Sequence, residues 1–198
     1  MSRSSRSPLA ASVVIALLAV AAVGVGAKVK VRTQHDKTFD FSGVRTYAWH
    51  PDGAGDVKIL EASGDDPERL RAKLEPVIKA AVEEQLARRG LVPAAGAQPD
   101  LHVNYYLLIG AGTSSQYMGQ FLSSSPDWGL PVISGPTTSF KAYEQGSLVL
   151  DLSAPSLKST VWRGVAQAEV DRQRSDADRN RRIQDAVKEM FGKFPPKK

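Results

Sequence analysis

Ser147-Leu-Val-Leu-Asp-Leu-Ser153 and Thr160-Val-Trp-Arg-Gly-Val-Ala-Gln-Ala-Glu-Val170, separated by six residues, decide the fold. Leu148, Leu150 and Leu152 fall on every second position of the first stretch; Trp162, Gly164, Ala166, Ala168 and Val170 do so in the second. A period of two marks strands with one face toward a core. The short link between them predicts an antiparallel hairpin.

Beyond the hairpin the period changes. Ser175 and Asp178 form a capping box ahead of Ile183, Ala186, Val187, Met190, Phe191 and Phe194, which predicts a closing helix ended by Gly192 and Pro195-Pro196. Upstream, residues 100–109 alternate Leu101, Val103, Tyr105, Leu107 and Ile109 with His102, Asn104 and Tyr106, a third strand. Ahead of it, Asp66 caps and Pro67 opens a helix carrying Leu70, Leu74, Val77, Ile78, Ala81, Val82 and Leu86, with Gly90 as its stop. Pro76 interrupts that pattern, so this helix either kinks there or becomes regular near Glu75.

Two more strands are expected: residues 28–34, with Lys28, Lys30 and Arg32 on a wet face, and residues 44–50, with Tyr47 and Trp49 on one side. Residues 51–64 read as a loop too polar to pack, and 110–139 as a long Gly/Ser/Pro-rich loop. The order strand, strand, helix, three strands, helix predicts an α+β fold: a mostly antiparallel sheet of about five strands with two helices on one face, a two-layer sandwich. Residues 28–198 form one such domain.

Residues 1–27 stand apart. Arg3 and Arg6 precede an uncharged run whose centre, 13–23, contains only Val, Ile, Leu and Ala, and which ends in small residues at Val25 and Ala27. That is the form of a secretion signal cleaved near Ala27. The run also approaches the roughly 20 residues that span a bilayer, so an uncleaved N-terminal membrane anchor is the other reading. Either way the chain is expected to be exported, to the periplasm or cell envelope of a bacterium, and to meet the membrane only through this segment if it stays uncleaved.

Composition removes several classes of function. The 198 residues carry a formal charge of +5, of which Arg3 and Arg6 supply two, too little to argue for nucleic acid. No cysteine is present, which excludes disulfides, thiolate nucleophiles, Cys-ligated metal and lipid attachment through a lipobox. His35, His50 and His102 with Asp36, Asp52 and Asp100 lie on separate segments without metal-site spacing. Gly110-Ala-Gly112 lacks the third glycine and the helix of a phosphate loop, and the serines near Ser123 have no nucleophile elbow. No catalytic residue, metal or cofactor is expected.

Two features remain as partner-binding candidates. Arg172, Arg174, Arg179, Arg181 and Arg182 cluster at the start of the last helix, where Arg179, Arg181 and Arg182 could meet an anionic lipid surface or an acidic envelope protein. Tyr117, Phe121 and Trp128 punctuate the long loop and could anchor a protein partner.

Ordered stretches along the chain carry a family resemblance: Phe41-Ser-Gly-Val-Arg-Thr-Tyr-Ala-Trp49, Glu84-Gln-Leu-Ala-Arg-Arg-Gly-Leu91, Pro99-Asp-Leu-His-Val103, Tyr143-Glu-Gln-Gly-Ser-Leu-Val-Leu-Asp151, Val161-Trp-Arg-Gly164 and Phe194-Pro-Pro196. In these the chain resembles the DUF4136 family of bacterial envelope lipoproteins, from which it departs in having no lipobox cysteine and in carrying Ser153-Ala154 where an acidic residue often follows Asp151. The resemblance implies an envelope location and brings no reaction, cofactor or catalytic residue. The expected function is therefore non-enzymatic binding or scaffolding in the envelope. The alternative is a periplasmic hydrolase-type enzyme with a site assembled from scattered residues such as Asp100, His102 and Glu144.

Overall fold

The computed structural model describes residues 29–59, 66–109, 116–117, 141–142, 146–168, 170–171 and 173–195. In chain order the elements are β1 (Lys30–His35), β2 (Thr46–Trp49), β3 (Gly55–Ile59), α1 (Pro67–Ala87), β4 (Val92–Pro93), β5 (Leu101–Ile109), β6 (Gln116–Tyr117), β7 (Lys141–Ala142), β8 (Gly146–Ala154), β9 (Ser159–Ala168) and α2 (Asp176–Phe191). A short 3-10 turn, Phe41–Gly43, lies between β1 and β2.

All five expected strands are present, but the sheet is larger and mixed. Seven strands run in the order β1-β9-β8-β5-β2-β4, with β3 also on β5. The β1/β9, β9/β8 and β8/β5 pairs are antiparallel, as alternation and the short hairpin link require. The β5/β2, β5/β3 and β2/β4 pairs are parallel. Parallel neighbours need a crossover, and α1 supplies it between β3 and β5. The loop expected over 51–64 is corrected accordingly: it contains β3, whose Val57 is buried at 6% exposure. β2 and β3 lie end to end along one edge of β5, at Leu101–Val103 and Tyr105–Ile109, separated by a turn in which Gly53 donates to the His50 carbonyl. The expected 110–139 loop contains β6, which pairs antiparallel with β7; the rest of it lies outside the described residues.

Both helices begin and end where their signals stand. The Asp66 carboxylate accepts from the Glu68 N–H with Pro67 in the first turn, and the Ser175 hydroxyl accepts from the Asp178 N–H while donating to its carboxylate. α1 continues unbroken through Pro76, whose missing N–H would have reached the carbonyl of Ala72; both residues are exposed, so water can serve the orphaned oxygen. Gly90, at φ of +77°, closes α1: its N–H bonds to the Ala87 carbonyl and that of Leu91 to Leu86, the paired bonds of a Schellman ending.

Rows across the sheet show which face the helices cover. Val103, Leu152 and Trp162 are register partners in sequence, as are Tyr105, Leu150 and Gly164, and all of these but Gly164 belong to one core cluster with Leu74, Ile78 and Leu86 of α1 and Val187, Met190 and Phe191 of α2. The two helices thus share one face of the sheet. Polar ties set α1 on it: the Tyr105 hydroxyl donates to Glu75 at 2.8 Å and the Trp49 indole to Glu83 at 2.8 Å. α2 runs antiparallel along β9, with Trp162 stacked on Phe191 at 5.3 Å and Gly164 beneath Met190. Arg89, at the end of α1, donates to the Phe191 and Phe194 carbonyls at the end of α2, lies over the Phe191 ring and also bonds Gln85. Burial, with the charge of Arg88 beside it, lowers the pKa of this guanidinium.

Candidate functional site

Along β9 the side chains under α2 are bulky at Trp162 and small at Gly164, Ala166 and Ala168. The bulky end fills the space beneath Phe191. The small end does not, and a cavity of about 150 Å³ opens there between the sheet and the first half of α2. Leu107 of β5, Gly146 and Leu148 of β8, Ala166 and Ala168 of β9 and Val29 make its apolar wall, and Ile183 and Ala186 come from α2. Gly146 lets Val170 close over the start of β8, since a Cβ there would lie 2.7 Å from the Val170 side chain.

Three arginines line the same cavity: Arg174 from the link before α2, and Arg179 and Arg182 from the helix, with Asp171 beside them. Arg174 pairs with Asp171 at 3.2 Å and Arg179 with Asp176 at 2.6 Å, both pairs open to solvent on the carboxylate side. Lys73 of α1 reaches the same Asp176 at 2.7 Å; its hydrogen bond and charge, with Arg179 adding to them, hold that carboxyl below the usual range.

Of the arginines nominated from sequence, the structure brings Arg179 and Arg182 to the cavity and leaves Arg181 out: it is 70% exposed and faces Asp178 at 3.4 Å. A sequence signal for this division exists. Arg179, Arg182, Ile183 and Ala186 follow the spacing i, i+3, i+4, i+7, one stripe of a helix, and Arg181 is off it. Arg174 joins them only through the fold. Tyr117 lies on β6, while Phe121, Trp128, Arg172, Glu144, Ser123 and the 110–112 glycines fall outside the described residues.

The histidines and acids divide. His50 and His102 meet edge to face, ring centres 5.2 Å apart, with Asp52 3.7 Å from His50. Burial and then the neighbouring His50 lower the pKa of His102. His35 packs against Phe41, and Asp36 accepts from the Thr38 N–H and hydroxyl. Asp100 accepts from the Arg45 and Thr46 backbone N–H groups and from the Thr46 hydroxyl, which hold its carboxyl below the ordinary range and tie β5 to β2. Among the described residues no three histidines or acids gather as a metal site.

Asp151 and Arg163 form an ion pair. They are register partners on the sheet face away from the helices, 1% and 0% exposed, joined by two parallel N–H to carboxylate bonds. Burial alone would lower the pKa of the Arg163 guanidinium; the charge and hydrogen bonds of Asp151 outweigh it and raise it.

A mixed sheet carrying two helices on one face, with an arginine-lined cavity at one end, defines an α+β domain. The chain belongs to the family described as Domain of unknown function (DUF4136), whose model matches residues 31–196. No curated protein matches it. The crystal structure of a PDZ domain protein from Parabacteroides distasonis is similar at 14% identity and a TM-score of 0.50, over 87% of this chain and 37% of that one. The chain thus spans little more than a third of that protein, and the likeness is one of fold. A PelC dodecamer from Paraburkholderia phytofirmans aligns at 10% identity with a TM-score of 0.31, over 83% of this chain and 94% of that one. A point variant of it aligns at 9% identity with the same score, over 84% and 93%.

Proposed function

We propose that this domain is a non-catalytic binding protein of the bacterial envelope, carried out of the cytoplasm by residues 1–27, and that the cavity between β8, β9 and α2 is where it binds. The observation that carries the reading is the cavity: apolar walls beside three arginines, built by four elements of the domain. A concave apolar site with a few convergent polar groups is the usual form of a ligand seat. The basic and apolar leader of residues 1–27 supports the location. Among the described residues no helix is long and apolar enough to cross a membrane.

The test of binding is affinity capture by the full chain from an envelope extract, alongside Ala186→Phe, which puts a ring into the cavity. Loss of the captured component with Ala186→Phe at unchanged melting temperature is the expected result; equal capture by both proteins removes the cavity from the function. The test of location is a reporter fused at the C-terminus. Reporter activity confined to the cytosol ends the envelope reading.

A further inference from the structure

The cavity has two chemistries in one place, and together they describe a ligand. We propose that it takes the apolar end of a single-chain anionic amphiphile, a free carboxylate or phosphate monoester whose head is held by Arg174, Arg179 and Arg182. This rests on the cavity being the binding seat.

Volume limits the tail. About 150 Å³ is the size of an apolar cavity that holds one benzene ring, so roughly six carbons enter and any longer chain leaves by the open mouth. The walls contributed by Leu107, Leu148, Ala166 and Ala186 offer a tail no hydrogen-bond partner through their side chains, which disfavours a sugar or a peptide backbone as the inserted part. Charge selects the head. Arg174, Arg179 and Arg182 bring three guanidinium groups to this apolar lining, the first two in ion pairs with Asp171 and Asp176, and a carboxylate or phosphate is the head such groups receive. Guanidinium groups bind such heads through paired parallel N–H bonds, a geometry an alcohol or an ammonium cannot return. Arg174 and Arg179 are already turned by Asp171 and Asp176, and ion pairs this open to water are weak, so an arriving anion can take their place.

The experiment is a methyl chemical-shift titration of the full chain as its host processes it, read at Ala166, Ala186 and Ile183. The probes are butyl, hexyl and octyl phosphate, with hexanol and hexylammonium as controls. Each methylene entering the cavity should tighten binding about fourfold, from 0.8 kcal/mol per buried methylene, with no further gain beyond roughly six carbons. Hexanol should bind at least tenfold more weakly than hexyl phosphate. The Arg179→Gln/Arg182→Gln variant should lose about tenfold for hexyl phosphate and nothing for hexanol.

Equal binding of hexylammonium, shifts that avoid the three reporter residues, or affinity indifferent to chain length each overturns the proposal. So does sedimentation with phosphatidylglycerol vesicles in the absence of any methyl shift, which would assign the arginines to a bilayer. If hexyl phosphate fails while Ala186→Phe still abolishes capture from the envelope extract, the ligand class is wrong and the cavity remains the seat. If both fail, both readings fall.

Discussion

Replacing Arg163 with Met leaves the Asp151 carboxylate, 1% exposed, without the guanidinium that holds it through two hydrogen bonds. Breaking a fully buried pair from one side costs about 3–5 kcal/mol, because the surviving charge is shut off from water. For a domain of this size each kcal/mol lowers the melting temperature by about 2–4 °C, so Arg163→Met should melt roughly 6–20 °C below the parent. The second half of the cycle separates this from lost packing. Asp151→Leu with Arg163→Met removes both charges together, and paired replacements of this kind are neutral or stabilising when the volume is filled. Urea denaturation with a common slope gives all four stabilities, and a coupling of about 3 kcal/mol between the two sites is expected. If the single variant costs less than about 1 kcal/mol, or the double variant is as unstable as the two singles added, the pair does not hold the face of the sheet in the way argued.

Three further outcomes follow from contacts elsewhere. A Cβ at Gly164 would lie 2.6 Å from the Trp162 ring and 2.9 Å from the Met190 sulfur, so Gly164→Ala should cost about 1–3 kcal/mol by overpacking, and an unchanged urea midpoint would contradict the close approach of α2 to β9. Gly90 sits in open space at φ of +77°, so Gly90→Ala should cost about 1–2 kcal/mol from backbone strain alone; hydrogen exchange confined to the last turn of α1 would report it, and no change there would refute it. Burial and the adjacent His50 make the folded His102 prefer to be neutral, so the unfolded chain binds more protons and stability is lost as pH falls below the ordinary histidine value of about 6.5. His102→Gln should flatten the stability profile between about pH 7.5 and 5, and a parallel profile would sink the assignment.

The local signals in the chain were clear. Asp66-Pro67 and Gly90 bracket α1, the Ser175/Asp178 box opens α2, and alternation marks β5, β8 and β9, because each of these depends on residues within a few positions of one another. β3 was not legible as a strand. Gly55-Asp-Val-Lys-Ile59 offers one buried side chain, and what places Gly55 is the Tyr105 ring, 2.3 Å from where its Cβ would stand and fifty residues away. The two-residue β4 carries too little pattern to show any period. The parallel pairings went unseen for the same reason, since recognising α1 as a crossover requires knowing that a strand precedes it. In the candidate site the arginine cluster was visible as composition. Its division between cavity and solvent needed the phase of α2, and the cavity itself needed Leu107, Leu148 and Ala166 brought together from three strands.

Among the described residues the opening strand finds its one sheet neighbour in the closing hairpin: Lys30 lies opposite Gln167, and His35 opposite Trp162. A chain delivered from its amino end therefore releases residues 30–35 long before their template exists. Closing so long a stretch is entropically slow, and late-completed sheets are the ones that fold in milliseconds to seconds. Until 159–168 emerge, Leu148, Leu150 and Leu152 have one naked border, and a nascent polypeptide halted there would present a sticky ribbon to its neighbours. Polypeptides truncated before Ser159 should therefore clump, whereas intact ones cover that border with β9.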